Sequence, residues 1–152
     1  MALISDLKGV TGDFAVGGKL NTTGGVIPRV VSLTDAATVT PNTDTTDIGI
    51  LTSLSQTTTF ANPSGTPTNG QLLQIRITSS TSRAISFGTA YQAASSLSLP
   101  TATTGSSAED YIGFRYNSLD SKWDLIGTTI GAYPTNTGLS FAQTVAIAML
   151  KL

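Results

Sequence analysis

The sequence predicts an all-β domain, an antiparallel β-sandwich of jelly-roll-like form with an extended N-terminal arm. Three observations carry this expectation. Leu72–Thr78 and residues 111–116 alternate apolar and polar residues, as half-buried strands do. About eight short apolar or β-branched runs follow one another closely, joined by Gly, Pro, Ser and Thr clusters. No segment with helical periodicity occurs before residue 139, and the 152 residues include 26 threonines and 17 serines, which suit hydrated sheet faces.

Residues 1–25 differ from the rest. Gly9, Gly12, Gly17, Gly18, Gly24 and Gly25 punctuate them, and single apolar residues stand between: Leu3, Ile4, Leu7, Val10, Phe14, Val16 and Leu20. Glycine at this density opposes a helix. The apolar residues are too isolated to form a core of their own. The segment reads as an attachment arm, with Leu3, Ile4, Leu7, Val10 and Phe14 seated in a partner; a frayed terminus is the plainer alternative.

Residues 26–138 form the expected sandwich. The β-branched run at 26–33 is interrupted by Pro28, which suits an edge strand or an entry point. Short strands are expected near 37–40, 48–54 and 57–60, with a polar turn at 42–47. Residues 62–70 read Asn-Pro-Ser-Gly-Thr-Pro-Thr-Asn-Gly, a loop ending in the hairpin-favouring pair Asn69-Gly70. In Leu72–Thr78, Leu73, Ile75 and Ile77 should face inward. Residues 79–82 should turn the chain, and 83–87 should return it. Leu97 and Leu99 flank Ser98 before a polar loop at 101–107. Ile112, Phe114 and Tyr116 should face inward, a turn is expected at 117–121, and Lys122–Thr129 should complete a hairpin. No fixed-period repeat is visible, which disfavours a solenoid.

Residues 139–152 fit two conformations. Phe141, Gln143, Val145, Ile147 and Met149 alternate with small residues, as in a strand. Ala142, Ala146 and Ala148, with Ser140 as cap, suit a helix. The β-branched Val145 and Ile147 favour an extended segment.

Composition narrows the function. The chain has no histidine and no cysteine, and 8 basic residues stand against 9 acidic ones, for a net charge of −1. Lys8, Lys19, Arg29, Arg76, Arg83, Arg115, Lys122 and Lys151 are scattered, so the clustered charge that nucleic acid demands is absent. No apolar run approaches the ~18 residues of a membrane-spanning helix. Weak self-repulsion suits packing beside copies or neighbours.

Little here suggests catalysis. A nucleophilic serine needs a base beside it, and no serine sits in a Gly-x-Ser-x-Gly turn. Glu109 and Asp110 are adjacent, so on a strand their carboxylates diverge. Asp120 and Asp124 flank Trp123. The oxygen-rich run from Asn42 to Asp47 lacks the spacing of a calcium loop, and a solvated turn is the simpler reading. Ala15-Val16-Gly17-Gly18-Lys19 lacks the phosphate-loop pattern. Tyr111, Phe114, Tyr116, Trp123 and Tyr133 suit core packing better than a sugar platform. The expectation is a protein with no catalytic, cofactor or metal site.

Four stretches together resemble a β module of tailed-phage virion proteins. The first is residues 29–42, including Val30-Val31-Ser32-Leu33-Thr34-Asp35. The second runs from Thr45-Thr46-Asp47-Ile48-Gly49 to Phe60-Ala61-Asn62-Pro63-Ser64-Gly65. The third joins Asn69-Gly70-Gln71-Leu72-Leu73 to Ile85-Ser86-Phe87-Gly88. The fourth holds Tyr111-Ile112-Gly113-Phe114-Arg115-Tyr116-Asn117 and Ser121-Lys122-Trp123-Asp124. Leu3-Ile4-Ser5-Asp6-Leu7 also looks like the start of phage fibre or adaptor proteins. The resemblance covers about residues 1–128 and extends to capsid decoration (cement) proteins, head fibres and tail fibres.

This resemblance implies a jelly-roll-like sandwich, a homotrimer, and attachment to a shell or tail through the N-terminal segment. A single module without a fibrous shaft is expected to be a capsid decoration protein. It would bind the major capsid protein on the outer surface of the head. The alternative is a small tail or head-fibre component, held by a tail or baseplate protein and binding host glycan. Neither reading involves nucleic acid or membrane.

Overall fold

The computed structural model describes residues 26–131, which are all-β with no helix. The chain forms β1 (Val30–Ser32), β2 (Thr38–Val39), β3 (Ile48–Leu51), β4 (Thr58–Phe60) and β5 (Leu72–Thr78). β6 (Ile85–Phe87), β7 (Tyr91–Gln92), β8 (Glu109–Asn117) and β9 (Lys122–Thr129) follow. Six of them make one sheet in the order β1-β3-β5-β8-β9-β7, and three make a second in the order β2-β4-β6.

Alternation sets which residues face inward. Leu73, Ile75 and Ile77 of β5 are fully buried, as are Ile112 and Phe114 of β8. Val39 and Phe60 from the small sheet join them, with Leu51, Ile85, Tyr91, Trp123 and Leu125, in a single core. Fully burying one such side chain is worth roughly 1.5–3 kcal/mol. The short strands therefore hold because they share one core, not because each is stable alone.

The antiparallel expectation needs correction. Only β5–β8 and β8–β9 pair antiparallel; β1–β3, β3–β5, β2–β4, β4–β6 and β7–β9 are parallel. From β1 to β6 the chain alternates between the sheets, so each pass lies beside the one before it. The corners stack too: Asn42 bridges Ser64 in parallel, and Thr43 N–H donates to Ser64 O at 2.9 Å. This is a coiled path of the kind a missing repeat had disfavoured. Val30 lies beside Ile48 and Ile48 beside Gln74, so successive turns differ in length and leave no constant period to see.

Two expected hairpins are absent for the same reason. Gly70 does take a left-handed turn (φ 84°), but the turn feeds β5, which lies in a different sheet from β4. Residues 79–82 likewise carry the chain from β5 across to β6. The expected hairpin at 117–121 does form: β8 and β9 pair from Asn117–Lys122 to Tyr111–Thr129. Pro28 precedes edge strand β1, as its missing N–H favours. The arm at 1–25 and the segment at 139–152 lie outside the described residues.

Candidate functional site

The acidic side chains of the described residues are occupied by internal contacts. Asp47 Oδ2 accepts from Arg29 N at 2.7 Å and Arg29 Nε at 3.0 Å, and its Oδ1 accepts from Arg29 Nη2 at 2.6 Å. Hydrogen bonding from Arg29 holds the Asp47 carboxyl below the usual carboxylate range, against the opposing effect of burial. Asp44 Oδ1 accepts from Thr66 N at 2.7 Å and Thr66 Oγ1 at 3.1 Å, so the 42–47 turn uses its carboxylates to clamp neighbouring loops. Asp120 and Asp124 both accept from Gln92 Nε2, tying β7 to the β8–β9 hairpin.

Glu109 and Asp110 point apart. Asp110 is fully buried and accepts from Thr104 N at 2.8 Å and from Gly131 N at 3.3 Å. Glu109 stands on the other face, where Tyr111 Oη donates to it at 2.7 Å and Arg76 lies at 3.7 Å. No group of three or more potential metal ligands comes together among the described residues.

The aromatics pack the core. Phe60 stacks on Phe87 with centroids 5.5 Å apart, Tyr91 meets Phe114 at 4.8 Å, and Tyr116 meets Trp123 at 5.2 Å. Burial pushes the Tyr91 phenol well above its ordinary pKa. Tyr111 belongs to the opposite face of β8, and Tyr133 lies outside the described residues. A polar cup of about 500 Å³ opens beside Arg29, Thr43, Asp44, Thr66, Thr68 and Gln71.

The two outer faces differ. On the small sheet, Thr38, Thr59 and Ser86 align across the strands, and Thr59 Oγ1 and Ser86 Oγ are hydrogen-bonded at 2.8 Å. That face is a hydroxyl ladder suited to water. The outer face of the large sheet is mixed: Gln74, Arg76, Glu109 and Arg115 stand on it, with Val30, Leu72 and Ile126 as exposed apolar residues at 54%, 56% and 52%. Val26 and Ile27, also strongly exposed, lead into it at the β1 edge. There Val26, Pro28, Asp47, Ile48, Leu72 and Gln74 line a hollow of about 330 Å³.

A second hollow, of about 360 Å³, lies over β8 and β9. Gln74, Tyr111, Gly113, Ile126, Gly127 and Thr129 are among its walls. The strands are shifted by a bulge here: Phe114 pairs Leu125 and Gly113 pairs Gly127, leaving Ile126 as the extra residue. Bulges re-aim side chains, and this one puts Gly127 on the same outer side as Ile126.

The expected attachment residues Leu3, Ile4, Leu7, Val10 and Phe14 lie outside the described residues. The sequence reading missed the hollow over β8 and β9. Its available signal was glycine at Gly113 and Gly127, inside two otherwise regular strands, where glycine often marks a bulge or a close approach of another backbone. Comparison with protein-family models, with curated proteins and with solved structures gives no match.

Proposed function

We propose that this chain is a non-enzymatic virion structural protein, a trimeric capsid decoration (cement) protein. In this reading it binds the major capsid protein and stabilises the outer surface of the head shell. The resemblance to tailed-phage virion modules motivates the proposal. The observation that carries it is the cluster of exposed apolar side chains at the β1 edge of the large sheet, Val26, Ile27, Val30 and Leu72, beside the point where the arm would join. Exposed apolar side chains clustered in this way suit an interaction surface. The carboxylates serve as internal clamps, which fits a building block better than a reaction centre. We read the two sheets over one core as a sandwich, jelly-roll-like in outline, with a coiled first half.

The arm supplies the anchor, with Leu3, Ile4, Leu7, Val10 and Phe14 inserted into the shell. Co-sedimentation with expanded capsids tests this. The full chain should bind at hundreds of copies per particle, and a chain lacking residues 1–25 should not. Native mass spectrometry should find three copies per assembly. A dozen or fewer copies on the virion, or undiminished binding without the arm, would reject the reading.

One observation favours a second reading, a small tail or head-fibre component that binds host glycan. The cup beside Arg29 offers hydroxyls, an amide and a carboxylate, groups that suit sugar hydroxyls. Binding on a glycan array that is abolished by Gln71→Ala and Thr68→Ala would support it.

A further inference from the structure

The hollow over β8 and β9 opens on the outer side of the large sheet. Its floor is Gly113 and Gly127, paired in register on neighbouring strands. Glycine weakens a strand interior, so two side by side need a reason. Neither takes a left-handed φ. A Cβ at Gly127 would meet nothing within 4 Å, and one at Gly113 only ordinary contacts, the nearest Ile126 Cγ1 at 3.6 Å. The described fold therefore has no steric use for either glycine. A chain lying close over the sheet does. Ile126, the residue left unpaired by the bulge, stands at the rim.

The chain leaves the sheet at this hollow. β9 ends at Thr129 in its wall, Ile130 follows, and Gly131 turns with φ 135°, its N–H donating to buried Asp110. Residues 132–138 read Ala-Tyr-Pro-Thr-Asn-Thr-Gly, a connector composition. Seven residues reach up to roughly 23 Å, ample to double back over two strand spacings of about 4.8 Å each. Beyond them come Leu139, Phe141, Val145, Ile147, Met149 and Leu150, with Lys151 the one charged side chain of residues 139–152.

We propose that residues 139–152 fold back over the same chain's large sheet and fill the Gly113–Gly127 hollow with their apolar side chains. The short connector favours the chain's own tail over that of another copy. The Val26–Leu72 end of the face stays open for assembly, so this proposal stands apart from the functional one.

The full-length chain has no cysteine, so introduced pairs report without background. Ile126→Cys is combined in turn with Phe141→Cys, Val145→Cys, Ile147→Cys and Met149→Cys, and each double variant is oxidised under mild conditions. A disulfide needs Cα atoms about 4.4–6.8 Å apart, so at least one pair should close within a single chain. Closure of none, or closure only between chains, overturns the proposal. The second measurement is amide hydrogen exchange on Gly127→Leu, which occupies the hollow. Exchange in residues 139–152 should accelerate ~10-fold or more while β5 and β8 keep their protection. Unchanged exchange in that segment also overturns it.

Discussion

Arg29 and Asp47, 18 positions apart, are joined by three hydrogen bonds, one through the Arg29 backbone N–H and two through its guanidinium. They staple the approach to β1 onto the start of β3. The Arg29 guanidinium also donates to the carbonyls of Asp44 and Thr43. This single cation organises the whole 43–47 corner.

The staple gives a pH prediction. The Asp47 carboxyl lies below its ordinary value in the fold because Arg29 hydrogen-bonds its charged form. A depressed carboxyl contributes stability that is fully present above its unfolded pKa of about 3.9 and is lost as pH falls through the folded value. The arginine side chain is about half exposed, so solvent screening limits the contribution to about 0.5–1 kcal/mol. Asp47→Asn should lower urea stability by that amount near neutral pH. The gap to the parent chain should close in acid.

Core truncation should be severe. Phe114 is fully buried and meets the rings of Phe87 and Tyr91. Phe114→Ala should cost about 3–5 kcal/mol, read from equilibrium urea unfolding. Trp123→Ala should fall in the same range, because it removes a ring at 5.2 Å from Tyr116 as well as core volume.

Two glycines should respond oppositely to alanine. Gly105 has φ 80°, and a Cβ there would sit 2.5 Å from Ser82 N and 2.8 Å from the Thr81 carbonyl carbon. Gly105→Ala should destabilise by more than about 1 kcal/mol, through both strain and collision. Gly127→Ala meets open space. In a chain ending at residue 138 it should be neutral or stabilising by about 0.5–1 kcal/mol, and a segment seated over Gly127 removes that gain in the whole chain. Thermal melts of the two variants beside the parent chain check both signs.

Chelation should leave the fold unchanged. Asp44 is held by Thr66 and Asp47 by Arg29, so neither carboxylate awaits a cation to complete its hydrogen bonding. The melting temperature in excess EDTA should match that in buffer. A fall of several degrees would point to a metal at the 42–47 corner.

Local alternation determined much by itself. The inward set Leu73, Ile75, Ile77, Ile112 and Phe114 was legible because strand side chains alternate with period two, whatever the partner strand. The β8–β9 hairpin was legible because its turn and both strands are contiguous. Its bulge was not, since Ile126 becomes an extra residue only in register against Phe114 and Gly113. Strand partners and directions were likewise decided by the tertiary structure. β3 and β5 lie parallel because the chain crosses to the small sheet between them, burying Phe60 against the common core. That choice depends on contacts distant in sequence, while the turn residues at 69–70 and 79–82 read the same whether the chain folds back or crosses over. The apolar cluster at the β1 edge emerged the same way: Val30, Ile48 and Leu72 are far apart along the chain, and only the pairing of β1, β3 and β5 brings them to one side of one sheet.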